Sequence, residues 1–258
     1  LTSANKLQPM AATSDGIPAR PTQDQCSGRG SEGRDDDALI EKLRSRAWDP
    51  GRRFDTAPIP TAWVNEHYGV EPATHDGRVG SRSDGMLIFN ARAEAVAAYY
   101  ADAPREPLFP PVSLADFEIA ESRVGRRLPS LLRRVYTEVA NGGFGPDAGL
   151  ACLTDGSREQ GRMRERPSAV RVYERNCAAG LPTSWFELAH GGCTMHWHVS
   201  LAAVANPVLL HDTDGWDPDL HGDPDDGPHD GLRHANPSLR RWLWTWANGE
   251  NVWDEVLK

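Results

Sequence analysis

Cys193, His196 and His198 stand in the order C-x-x-H-x-H, with His190 and His211 close in the chain. On a strand, alternate residues share a face, so His196 and His198 would point the same way, as two ligands to one ion must. A structural zinc site takes four ligands, and a catalytic one takes three and a water. The paired spacing of the familiar zinc motifs is missing. The same residues could form a nucleophile–base pair, but no orienting third group or nucleophile motif frames Cys193. The ordinary reading is a strand with Met195, Trp197 and Val199 in the core and both histidines toward solvent or a groove. Metal and catalytic sites are therefore not expected, and Cys193, His196 and His198 stay as the candidates for a metal-dependent enzyme.

The run HDTDGWDPDLHGDPDDGPHD, residues 211 to 230, holds eight Asp and no Lys or Arg. Asp212 and Asp214 have the opening spacing of a calcium loop, but Trp216 falls where the next ligand belongs and Gly215 comes too early. Two readings remain. One is a solvated loop that its like charges hold open. The other is a contact surface of Asp212, Asp214, Asp217, Asp219, Asp223, Asp225 and Asp226 around Trp216 as an aromatic anchor. Such a surface would speed the capture of a basic partner.

In YTEVANGGFGP a helix-forming run meets Asn141, Gly142, Gly143 and Gly145, with Phe144 among the glycines. Glycines that cradle phosphate precede a helix, where backbone N–H groups point outward. These follow one, at the negative end of its dipole. The expected role is structural: Asn141 or Gly142 in the left-handed conformation, a sharp turn into a sheet, and Phe144 packed beneath.

The chain has 258 residues and a net charge of −9, which disfavours direct binding to nucleic acid and favours a basic protein partner. Arg outnumbers Lys 25 to 3, a usage typical of a high-GC bacterial genome. The four cysteines have no CxxC spacing and no disulfide framework is expected. No leader-like or membrane-length apolar run is seen, so a cytoplasmic monomer without cofactor is expected.

Several elements must position these residues. Residues 1 to 37 are polar and are expected to be disordered. A helix follows over Asp37–Ala47, with Leu39, Ile40 and Leu43 on one face. After a segment broken by prolines come a short strand at MLIF and a helix over Ala91–Tyr100. Ser113 caps a helix carrying Leu114, Phe117, Ala120 and Val124, with Asp116 at its third position and Val112 set to staple to Phe117. Gly125 ends it, and Pro129 opens the next helix, whose apolar face is Leu128, Leu131, Leu132, Val135, Tyr136 and Val139. Strands are expected over Leu150–Leu153, Cys193–Leu201 and Asn206–His211, a helix over Ser168–Ala178, and a polar loop over Asp212–His234. A last helix carries Leu239, Trp242, Leu243 and Trp246 as a buried stripe, with Gly249 beyond it. Trp244 lies off that stripe, free for the middle segment or a partner. Helices first, then strands, then a terminal helix imply an α+β fold.

The run VSLADFEIAESRVGRRLPSLLRRVYTEVANGGFGPDAGL, residues 112 to 150, resembles the SUKH superfamily, which includes yeast cell-wall-assembly regulators and many bacterial immunity proteins. Gly125, Leu128, Pro129, Tyr136, Asn141, Gly142, Gly143 and Gly145 fit the pattern in order. The strand and turn at Gly192-Cys193, Pro207-Val208 before an acidic loop, and the terminal SLRRWLWTWANG are also similar. The resemblance covers about residues 38–55 and 110–258. Two departures stand out: residues 56 to 109 look inserted, and Val199-Ser200 replaces an acidic residue often found after that strand. The resemblance implies helices packed on one face of a curved, mostly antiparallel sheet. It also implies a non-enzymatic domain, residues 38 to 258, that neutralises a toxin such as a nuclease or deaminase by direct binding. The alternative it carries is a regulatory module of the cell-wall-regulator type.

Overall fold

The structure is a computed structural model. It describes residues 24–54, 59–69, 78–82, 85–89, 93–102, 108–147, 149–154, 167–192, 194–215 and 231–256. The chain divides into two units, Leu1–Asp35 and Asp36–Lys258, and the second carries the sheets and the core.

Helix α1 runs over Asp24–Trp48, so it begins thirteen residues before the expected start at Asp37. Among the described residues its buried apolar positions are Leu39, Ile40, Leu43 and Ala47, which anchor it to the core. Extending an existing helix fixes one residue per added hydrogen bond, and no proline interrupts the polar stretch before Asp37. The rest of the tail expected to be disordered, residues 1 to 23, lies outside the described residues.

The stretch that looked inserted forms a sheet of its own. β1 (Ile59–Pro60), β2 (Arg78–Arg82) and β3 (Gly85–Phe89) pair antiparallel in the order β1-β3-β2. Helices α2 (Thr61–Tyr68) and α3 (Ala93–Asp102) accompany them. Ile59, Val64 and Ala95 make a small apolar cluster with Trp63, Tyr99 and Tyr100 around it.

α4 (Leu114–Val124) starts as its cap signals require: the Ser113 hydroxyl oxygen accepts from the Asp116 N–H at 3.1 Å. Phe117, Ala120 and Val124 are buried, but Leu114 is 59 % exposed and leaves the expected stripe. Val112 is tied to the next helix by its N–H, which donates to the Tyr136 carbonyl at 3.0 Å. α5 (Ser130–Arg134) follows Pro129 and continues as a π-helix, Val135–Val139. Leu128, Leu131, Leu132, Val135, Tyr136 and Val139 are all buried. The arginines of these helices are largely ion-paired: Arg123 with Glu174, Arg133 with Glu121, and Arg134 with Glu138 and Asp37.

α6 spans Ala169–Ala178 under a Ser168 cap. Then β4 (Trp185–Gly192), β5 (Met195–Ser200), β6 (Val208–Asp212) and β7 (Leu232–Asn236) form an antiparallel sheet in that order. β7 takes up Leu232–His234, which were expected in the polar loop. Leu150–Leu153 makes only a single bridge, Leu150 to Ala189, instead of a strand. α7 (Leu239–Ala247) closes the fold, with Leu239, Trp242, Leu243 and Trp246 buried and Gly249 at positive φ. Trp244 lies under Lys42 of α1, 5.4 Å from Nζ. The architecture is α+β, as the order of elements implied.

One face of the four-stranded sheet joins the helices in the main core through Phe186, Leu188, Trp197, Val199, Val208, Leu210 and Ala235. The opposite face also carries buried residues: Trp185, Leu209 and Leu232 cluster there with Leu181. The sheet is thus buried on both faces over part of its width, while the main core shared with the helices lies on one.

Candidate functional site

The glycine loop comes first because it joins helices to sheet. The π-helix ends at Ala140 in extended backbone, and Gly142 takes φ +75° and Gly143 φ +77°. Gly142, not Asn141, is the left-handed residue. A Cβ on Gly142 would lie 2.7 Å from the carbonyl oxygens of both Leu150 and Ala151. The Asn141 side-chain oxygen accepts from the Leu153 N–H at 2.7 Å, and the Tyr136 hydroxyl donates to the Ala151 carbonyl at 2.8 Å. Phe144 is fully buried against Trp246, with ring centres 5.9 Å apart. These polar groups are spent on holding the loop to the fold, in line with the structural reading.

The same loop carries Asp147, whose role was not foreseen. It is buried at φ +52°, and its carboxylate accepts from the indole N–H groups of Trp197 at 2.6 Å and Trp253 at 2.9 Å. Burial pushes its carboxyl above the usual range, and the two indole hydrogen bonds only partly oppose this. Trp253 and Trp197 meet edge to face at 5.0 Å, so the tryptophans form core, not a ligand cage.

The His-rich strand is the second feature. Met195, Trp197 and Val199 turn toward the core as expected. His196 and His198 share the opposite face, but His198 is not toward solvent: it is 1 % exposed. Strand pairing brings three further polar side chains to them. Glu187 of β4 lies opposite His198, His190 opposite His196, and His211 of β6 opposite His196 on the other side. Ring centres are 5.7 Å apart for His198 and His211, 6.2 Å for His196 and His198, and 6.5 Å for His196 and His211. Glu187 Oε2 lies 3.1 Å from His196 Nδ1, an ion-pair distance. Both nitrogens of His198 are buried with no hydrogen-bond partner.

Burial drives the His198 imidazole down to about 3, so it is neutral at physiological pH. Burial pushes the Glu187 carboxyl up, yet the adjoining His196 and its neighbouring imidazoles outweigh it, and the group stays an anion below its ordinary range. Among the described residues, no three His, Cys, Asp or Glu side chains converge as they stand on one point at ligand distance. Cys193 lies outside the described residues; Gly192, at φ +98°, makes the turn beside it.

The acidic run leaves the sheet one residue beyond His211. Asp212 ends β6 and donates its N–H to the Gly231 carbonyl at 2.7 Å. Its side chain accepts from the Asp214 N–H at 3.1 Å, and Thr213 donates to the Thr194 carbonyl at 3.0 Å. The Thr194 side chain and the Asp214 N–H hold the Asp212 carboxyl below its usual range. A Cβ on Gly215 would lie 2.8 Å from the Gly231 Cα, so the run departs and returns through a tight neck. Asp214 is exposed, while Trp216, Asp217, Asp219, Asp223, Asp225 and Asp226 lie outside the described residues.

A third surface is the outer side of α4, a shallow hollow lined by Ala115, Glu118, Ile119, Ser122 and Arg123. Leu114 and Ile119, 59 % and 57 % exposed, border it. No helix among the described residues is long and apolar enough to cross a membrane. No family model and no curated protein matches the sequence.

Proposed function

We propose that this chain is a non-enzymatic protein-binding domain of the immunity type, which neutralises a basic toxin domain, of the nuclease or deaminase kind, by covering it. The observation that carries this reading is the acidic run: eight Asp and no Lys or Arg between His211 and Asp230, rooted on a sheet end that hydrogen bonds hold in place. A run of negative charge steers a positive partner and adds to the on-rate. The net charge of −9 works in the same direction over longer range. The resemblance of residues 112 to 150 to the SUKH superfamily supports the same mode of action.

The test is kinetic. The partner is captured from lysate of the source cells at low and moderate salt, and its association rate is then measured against the whole chain. Replacing Asp214, Asp217, Asp219 and Asp225 together by Asn is expected to slow association by about tenfold or more at low salt and to flatten its salt dependence. An unchanged on-rate and salt slope would reduce the run to a solvated loop. A scatter of weak partners in place of one retained basic protein would favour a regulatory module.

A further inference from the structure

Cross-strand pairing gathers Glu187, His190, His196, His198 and His211 from three strands onto one face of the sheet. Both ring nitrogens of the fully buried His198 have no hydrogen-bond partner there, while Glu187 Oε2 and His196 Nδ1 face each other at 3.1 Å. An orphaned buried polar atom is costly, so the nitrogens of His198 call for a partner that the protein's own groups do not supply. We propose that this face binds a divalent transition-metal ion, best fitted by Zn2+, with His196, His198 and His211 as ligands and Glu187 holding His196.

The geometry is close to what such an ion needs. With Zn–N near 2.0–2.1 Å, three tetrahedrally placed imidazoles have ring centres about 5 Å apart. The present triangle has sides of 5.7, 6.2 and 6.5 Å. Each side must close by about 1 Å, a shift that small χ rotations supply on a fixed backbone. Turning a ring about χ2 exchanges carbon for nitrogen on its inner edge without moving its centre. The three ligands come from positions that strand pairing already makes neighbours: His196 and His211 are opposite, and His198 is two residues along on the same face.

Hydrogen-bond chemistry selects which imidazoles serve. The Glu187 carboxylate beside His196 Nδ1 keeps the proton there and leaves Nε2 to bind metal, the carboxylate–histidine arrangement usual behind zinc ligands. The Gly192 N–H donates to His190 Nδ1 at 3.0 Å, so the lone pair of His190 is taken and its Nε2 carries the proton. His190 therefore stands outside the set. The Glu187 anion offsets part of the ion's charge. Trp185 lies 5.5 Å from His198 and 5.6 Å from His211, giving the site an apolar wall. The ion would clamp β5 to β6 next to the root of the acidic run. This inference stands apart from the partner-binding reading, and either can fail alone.

The whole chain, stripped with a chelator, is titrated with Zn2+ and separately with Co2+, whose visible spectrum reports coordination. One equivalent of Zn2+ is expected, with a four-coordinate Co2+ spectrum and a rise in melting temperature. His198→Gln and His211→Gln should each abolish the Co2+ spectrum, Glu187→Gln should weaken affinity about 10- to 100-fold, and Cys193→Ser should leave both unchanged. Circular dichroism shows that each variant is folded; should a His variant unfold, the wild-type spectrum and the Glu187→Gln affinity decide. Failure of the wild type to bind Zn2+, binding that survives in a folded His211→Gln, or binding lost only with Cys193 would overturn the proposal.

Discussion

Gly142→Ala is expected to be among the most damaging single-methyl additions in the protein, and Gly125→Ala provides its control. The two glycines have nearly the same backbone, φ +75° and +70°. Their surroundings differ. A Cβ at Gly125 meets nothing within 4 Å, whereas one at Gly142 falls 2.7 Å from two carbonyl oxygens. Gly125→Ala should therefore show the left-handed penalty alone, about 1–2 kcal/mol. Gly142→Ala adds an overlap with backbone that cannot rotate away, about 1–3 kcal/mol more. The total for Gly142→Ala is about 2–5 kcal/mol, and the gap between the variants about 2 kcal/mol. Urea denaturation of both, with matching m-values, measures that gap directly. Equal midpoints would refute the reasoning, because they would mean that the residues around Gly142 yield and that only φ matters.

Asp147→Ala should cost about 2–5 kcal/mol, since it takes the acceptor from the buried indole N–H of Trp197 and the half-buried one of Trp253 at once, and Asp147→Asn, which keeps an acceptor, should cost less in thermal unfolding. Because the folded carboxyl titrates above its unfolded value, the native state binds the extra proton; its stabilisation is present in acid and is lost as pH rises through the raised value. The stability of the wild type relative to Asp147→Asn should thus grow as pH falls from 7 toward about 4, and a flat difference would contradict the assignment. Removing residues 1 to 35 should change stability by less than about 0.5 kcal/mol in urea, because among the described residues the buried positions of α1 begin at Leu39 and the ion pairs at Asp36 and Asp37 remain. Leu114→Ser with Ile119→Ser should leave stability within about 0.5 kcal/mol and partner affinity unchanged; a drop in affinity would move the contact surface from the acidic run to α4.

Local signals were legible. Ser113, Ser168 and Ser238 each cap the helix that follows, because a cap needs only a hydroxyl and an N–H three residues on. The α7 stripe needed only a period of 3.6. Long-range features were not legible. That Glu187 and His211 flank His196 and His198 depends on strand register, and the register is shifted between Glu187 and Ala189. Asp147 shows no sequence signal beyond its place in a turn, since its partners lie 50 and 106 residues away. β7, with Arg233 and His234 in its middle, lacks the apolar alternation that marks a strand and is held by pairing with β6. Leu114 follows the apolar period of α4, yet it sits in the first turn, beyond the reach of the core.

The contact between Gly215 and Gly231 makes the segment between them a cassette. Its two ends already lie side by side, and the β6–β7 pairing that begins at His211 and Leu232 does not draw on it. A two-residue hairpin turn could close the same gap, leaving the scaffold intact and the acidic run transferable. Selection could then replace this segment wholesale while the helices, the glycine loop and the sheet stay unchanged.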